Sequence, residues 1–236
     1  MAADAEDSRA AAVRDGKRLM RLSRTGALAT LGADGAPLTT WVGCASDFDG
    51  SPLFLMSTLA RHTQDLARDA RASLLLTSPA DRGDPLNRPR LTLGGTIAPD
   101  PDAYARKRYL QRNPKAKLYA SFADFAVYRL RIETVHFNGG FGRADKLAPA
   151  DLLSPPGDAA ALIAAEDALL AELAADDRLV AQREGGRGVC RAVGLDPEGL
   201  DLSASGAAAR VDFVAPAFAP DLWRRRLAEA LAGPRA

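Results

Sequence analysis

Apolar residues recur along this chain in two rhythms, one helical and one alternating, and the rhythm switches several times. From Ala10 to Ser23, Val13, Leu19 and Leu22 recur at helical spacing and Gly26 follows just beyond, so a helix is expected there. The pattern then shortens. Gly26 to Leu31, Pro37 to Ala45 and Leu53 to Ser57 are β-rich runs, and the dipeptides Asp34-Gly35 and Asp49-Gly50 between them are hairpin-turn signals. Three short strands in a β-meander follow from this reading. Thr63 to Ala70 predicts a short helix, Ala72 to Thr77 an apolar strand, and the proline-rich stretch Ser78 to Pro89 a loop. Arg90 to Ile97 resumes a strand. Asp102 to Tyr119 is a basic helical stretch that Pro114 must break. Phe125 to Phe137 alternates most regularly, with Val127, Leu130, Ile132, Val135 and Phe137 against Arg129, Arg131 and Glu133, and predicts the longest strand.

After Leu147 the character changes. Pro155-Pro156-Gly157, within Asp151 to Asp158, marks a linker. Ala159 to Gln182 is rich in alanine and leucine and predicts one long helix or two. Val189 to Leu195, Leu200 to Ser205 and Ala209 to Val214 read as strands, and Asp221 to Leu231 as a closing helix. This α-β-β-β-α order makes a compact second domain. The fold class expected is mainly β plus α. An antiparallel barrel with flanking helices occupies residues 1–150, and a small α+β C-terminal domain occupies residues 151–236.

Composition narrows the function classes. The 236 residues are 47% hydrophobic, enough for a sizeable core, and 31 Lys and Arg balance 30 Asp and Glu. Such balance gives no long-range attraction to nucleic acid or to an anionic membrane, and neither is expected as a partner. No apolar run is long enough to span a bilayer, and a cytoplasmic location is expected. Cys44 and Cys190 stand far apart with no Cys or His beside them, so they form no zinc motif and read as buried thiols. With His62 and His136 as the only histidines, a His-rich metal site is excluded. Gly139-Gly140-Phe141-Gly142 lacks the spacing of a dinucleotide fingerprint and reads as a tight turn needing positive φ.

The stretch LFLMSTLARHTQDL, Leu53 to Leu66, carries the most chemistry. A strand ends at Met56-Ser57, and a turn then brings Thr58, Arg61, His62 and Thr63 to a helix start. Hydroxyls, an arginine and free backbone N–H groups in that setting suit a phosphate. The same residues also serve as ordinary caps, and the residues alone leave both readings open.

The ordered segments GALATLGADGAPLTTWVGCA, SPLFLMSTLARHTQDLARDARASLLL, DPLNRPRLTLGG and YLQRNPKAKLYASFADFAVYRLRIETVHFNGGFGRA resemble the FMN-binding split barrel of the pyridoxamine-phosphate-oxidase-like group. The form with LARHT and RPRLTLGG is most similar to that group's haem-utilisation branch. The resemblance implies a homodimer that holds a small-molecule ligand, FMN, at the subunit interface, and an oxidoreductase of unspecified substrate. It implies FMN contacts at Met56, Ser57, Arg61, His62 and Thr63, with Arg61 and His62 as the phosphate-binding basic pair. Thr39, Thr40 and Trp41 would line the flavin ring, and Arg90 would reach across the dimer. The chain lacks the Arg and Lys that true oxidases carry on the strand reading TTWVGC, so oxidation of pyridoxamine phosphate is not expected.

The branch offers two further readings: haem binding or degradation, and a non-catalytic regulatory role. The C-terminal segment, with LDPEGLDLS and VDFVAP, is similar to the branch's small domain. The histidine motif of that domain has ELAADD, Glu172 to Asp177, in its place. Any haem would therefore need His136, His62 or a non-histidine ligand. His136 lies opposite in direction to Val135 and Phe137 and reads as a hydrogen-bonded structural residue unless haem binds. Trp223 reads as packing, and the basic face Arg106 to Lys117 as solvated.

Overall fold

The computed structural model describes residues 2–78, 84–140, 144–154, 157–174, 190–204 and 207–232. Parts of the expected loop Ser78 to Pro89, the linker prolines, the Phe141–Gly142 half of the glycine turn and the helix beyond residue 174 lie outside the described residues. The chain divides into two compact units, Met1–Leu153 and Ser154–Ala236.

In the first unit, helix α1 (Ala2–Leu22) precedes strands β1 (Thr25–Leu31), β2 (Pro37–Gly43), β3 (Ala45–Ser46) and β4 (Pro52–Ser57). Helix α2 (Arg61–Leu66) follows, then β5 (Arg71–Thr77), β6 (Arg90–Pro99), α3 (Ala103–Arg112), β7 (Phe125–Asn138), β8 (Ala144–Leu147) and α4 (Pro149–Leu152). As expected, Pro114 ends the basic helix: α3 stops at Arg112 and a 3-10 turn covers Pro114–Leu118. β7, at 14 residues, is the longest strand. The first helix starts eight residues earlier than Ala10, and α2 starts and ends earlier than the stretch Thr63 to Ala70. β8 and α4 were not anticipated; each is only four residues long, too short for a periodicity to show.

The expected meander is corrected. β1 pairs with β2 and β3 with β4, all antiparallel, but the two hairpins do not pair with each other. β1 instead pairs with β5, and β4 with β7. The ladder runs β2-β1-β5-β6-β7-β4-β3, with β8 added beside β7. β2 and β3 thus stand at opposite ends of the ladder, yet Cys44 alone separates them in sequence. The sheet must curl until its two ends meet, and with no ladder between those ends it is a split barrel. The turns are made as the sequence demands: Gly35 has φ +78° and Gly50 φ +101°.

The curl encloses an apolar core. Leu28, Leu74, Leu91, Leu93, Leu130 and Phe137 are fully buried on its inner face, and α1 closes it with Ala12, Leu19 and Met20. α3 covers a second patch, where Ala105 and Tyr109 meet Leu53, Leu55 and Val127. Between β6 and β7 the register shifts at Gly94/Gly95, a bulge that a Cβ on Gly95 would drive into the Arg131 carbonyl.

The second unit has α5 (Ala160–Leu173), strands β9 (Cys190–Asp196), β10 (Gly199–Ala204) and β11 (Ala207–Asp212), and α6 (Pro220–Ala232). The strands form one antiparallel sheet in the order β11-β10-β9. Trp223 is fully buried there, as its packing role requires, and its indole N–H donates to the Asp196 carbonyl at 2.9 Å. Arg210 is buried among carboxylates, donating to Asp196 at 2.7 and 2.8 Å and to Asp201 at 2.7 Å. Burial alone would lower its pKa, but Asp196 and Asp201 hold it well above the ordinary value. Both cysteines are free and buried, and burial pushes the Cys44 thiol up to about 12 despite the nearby Arg112. No helix among the described residues is long and apolar enough to cross a membrane.

Candidate functional site

Two places carry the residues singled out by the sequence. The first is the turn from β4 into α2. Ser57 Oγ donates to Asp124 Oδ2 and accepts the Leu59 N–H at 3.0 Å, while the Thr58 N–H donates to the Asp124 carbonyl at 2.8 Å. Arg61 Nε donates to Asp65 Oδ1 at 3.0 Å, and Arg68 Nη1 reaches the same oxygen at 3.4 Å. Thr30, from β1, offers its hydroxyl to Asp65 Oδ2 at 3.5 Å. His62 Nδ1 lies 3.3 Å from Thr40 Oγ1. Burial lowers the His62 pKa below its ordinary 6.5, with Asp65 pulling the other way, so the imidazole is neutral at neutral pH. The Thr63 hydroxyl is buried with no partner. A mainly apolar cavity of about 200 Å³ runs past Thr63, Leu66, Ile97 and Tyr128.

These contacts bear on a phosphate. His62 is neutral, and the two arginines of the turn, Arg61 and Arg68, are both directed at the one carboxylate of Asp65. Asp65 and Asp124 thus already hold Arg61 Nε and the Ser57 hydroxyl, two donors that a phosphate would use. The Met56 side chain lies in the core at 3% exposure. As arranged here, these residues do not fit an FMN phosphate.

The second place is the outer face of the curled sheet. Alternation along β2 puts Thr39 and Trp41 outside, while Thr40 turns toward His62. Of the proposed ring-lining residues, Thr40 thus meets the turn while Thr39 and Trp41 lie on the other face. Register carries the outer row onward: Trp41 opposes Ala27, Ala27 opposes Leu75, Leu75 opposes Thr92, Thr92 opposes His136, and His136 opposes Lys146. Trp41 is 70% exposed and Leu75 36%, and both His136 and Lys146 face solvent. His136 is thus an open imidazole rather than the structural residue expected. Arg90 opposes Asn138, two residues along β7, which sets it diagonally about 7–8 Å from His136. Its guanidinium donates to the Leu86 carbonyl at 2.8 Å. Arg90 and α2 sit near opposite ends of β6, since the Ile97 N–H bonds to Ala70 just after α2. The chain does not bring Arg90 to the turn.

Between Trp41 and His136 the row holds Ala27, Leu75 and Thr92, the small residues Ala29, Ser73 and Gly94 flank it, and four strand spacings make it about 19 Å long. Gly94 is required, because a Cβ there would strike the Thr134 hydroxyl. The result is a shallow bed with an aromatic ring at one end and an imidazole between cationic side chains at the other. Sequence reasoning missed Asp65 and Asp124. Asp65 had a signal, its i,i+4 spacing from Arg61, whereas Asp124 lies 67 residues from Ser57 and had none.

Fold and register define the class, a split-barrel protein with an open sheet face. The model described as CREG, beta-barrel matches residues 7–154, and the chain belongs to that family. A protein of unknown function from Agrobacterium tumefaciens is 36% identical over 94% of both chains, with a TM-score of 0.80. A heme binding protein from Mycobacterium smegmatis is 30% identical over 93% of this chain and 96% of that one, with a TM-score of 0.58. The chloroplastic heme oxygenase HOZ of Arabidopsis thaliana is 35% identical over 115 residues, 47% of this chain; the match spans only 34% of that relative.

Proposed function

We propose that this chain is a haem-binding protein of the haem-utilisation type, working as a homodimer whose outer sheet faces enclose the ligand. The observation that carries the reading is the outer row, in which a solvent-facing His136 stands beside Lys146 at the end of a row that also holds Ala27, Leu75 and Thr92. The near full-length similarity to a heme binding protein supports it. Bound haem would supply iron-centred redox chemistry; the chain's part is to hold it.

His136 offers an imidazole nitrogen as axial ligand. Lys146 and Arg90 match the charge of two carboxylates. Trp41 and Leu75 give an apolar surface that water leaves when a flat ring or a second copy covers it. A second copy is favoured because an uncovered face bearing a 70% exposed tryptophan is an association surface.

Haem titration of the purified chain tests this. A Soret band should form, persist in His62→Ala and be lost in His136→Ala. A band that survives His136→Ala removes the ligand assignment, and no band at micromolar haem removes the function. Sedimentation should give a dimer that Trp41→Ser weakens.

A further inference from the structure

The β4–α2 turn collects donors that an anion would use, yet an anion of the protein's own already sits among them. Asp65 is completely buried, while Arg61 and Arg68, which point at it, are 63% and 55% exposed. We propose that Asp65 is a resident anion, whose carboxylate takes the arginine and hydroxyl donors of this turn and so excludes phosphorylated cofactors, FMN among them.

An ordinary surface ion pair would look different. Asp69 and Arg71 form one just after α2, with both side chains reached by solvent and the Asp69 carboxyl held down to about 2 by the Arg71 hydrogen bond. Asp65 instead turns into the barrel and also draws Thr30 from β1. Its position is therefore set by the sheet as well as by its own helix. A phosphate brought to Arg61 would meet this buried negative charge at close range, where solvent screens little. A phosphate that competed for the Arg61 Nε–H would also leave a buried carboxylate with one donor fewer, which is unfavourable. Nearby, the Thr63 hydroxyl is buried and unpartnered, and the imidazole of His62 lies against Thr40. Neutralising Asp65 would release the Arg61 and Arg68 guanidiniums beside these groups on the same short helix, leaving cationic donors with no carboxylate to balance them. A single carboxylate thus decides what this turn accepts. The inference is independent of the haem reading, since it concerns another face and another ligand.

The test uses the full chain and its Asp65→Asn variant, which keeps the shape and one acceptor oxygen but removes the charge. FMN fluorescence quenching and calorimetry with inorganic phosphate are the readouts, with riboflavin as the ligand that lacks the phosphate. The wild-type chain should bind neither FMN nor phosphate at micromolar concentrations. D65N should bind both at least about ten-fold more tightly than wild type. Adding Arg61→Ala should erase the gain, and riboflavin should show none. Tight FMN binding by the wild type overturns the proposal. So does a folded D65N with no gain, or an equal gain for riboflavin. If circular dichroism shows that D65N does not fold, Asp65→Ser and the wild-type titration decide the question in the same way.

Discussion

Phe137 and His136 are neighbours on β7, yet Phe137 is fully buried while His136 faces solvent. The same contrast holds on β5, where Leu74 is fully buried and Leu75 is 36% exposed. One sheet therefore has two unlike faces. The inner face is packed: its large side chains touch one another and α1. The outer face carries mostly small side chains, with Trp41, Leu75, one imidazole and cations standing above them. Stability lives on the first, the proposed binding site lies on the second, and a one-residue slip in register would exchange them.

Adjacent substitutions can break this contrast. Phe137→Ala should cost the most, about 3–5 kcal/mol in chemical denaturation, because it empties a packed core. A loss below about 1 kcal/mol would show that the core is not closed. Leu74→Ala should cost about 2–5 kcal/mol and Leu75→Ala under about 1, measured the same way; equal costs would erase the difference between faces. Gly95→Ala forces a Cβ onto the Arg131 carbonyl and should cost about 1–3 kcal/mol by straining the bulge that aligns the outer row. His136→Ala should change stability by no more than about 0.5 kcal/mol while removing the haem spectrum. A large drop in stability would make His136 structural after all.

The smallest effect concerns pH. Burial depresses the His62 pKa below 6.5 in the folded chain, so the unfolded chain takes up a proton first as pH falls. The contribution is complete above about pH 6.5 and is lost as pH falls through the lowered folded value. The slope of unfolding free energy between about pH 5 and 7 should flatten in His62→Asn. A wild-type chain that gains stability from His62 on acidification would contradict the burial of this ring.

Much of the first unit was legible. Alternation in Phe125 to Phe137 placed the longest strand, and Pro114 placed the helix break. Strand pairing was not legible, because a two-residue β3 and its buried partner carry no periodicity of their own. The basic pair at Arg61 and His62 was found, but its surroundings were not. Asp65 lies buried beside Arg61, and Thr40, from a distant strand, meets His62.

The sequence by itself determined the faces of each strand, the turns at Gly35 and Gly50 and the residues available for chemistry, since period, backbone freedom and side-chain type are local properties. The tertiary structure alone decided which strands became neighbours. It put Trp41 and His136 into one row, and it turned Asp65 inward to meet Arg61, Arg68 and Thr30. Those outcomes follow from closing a curled sheet around an apolar core, a condition that no short stretch of residues contains.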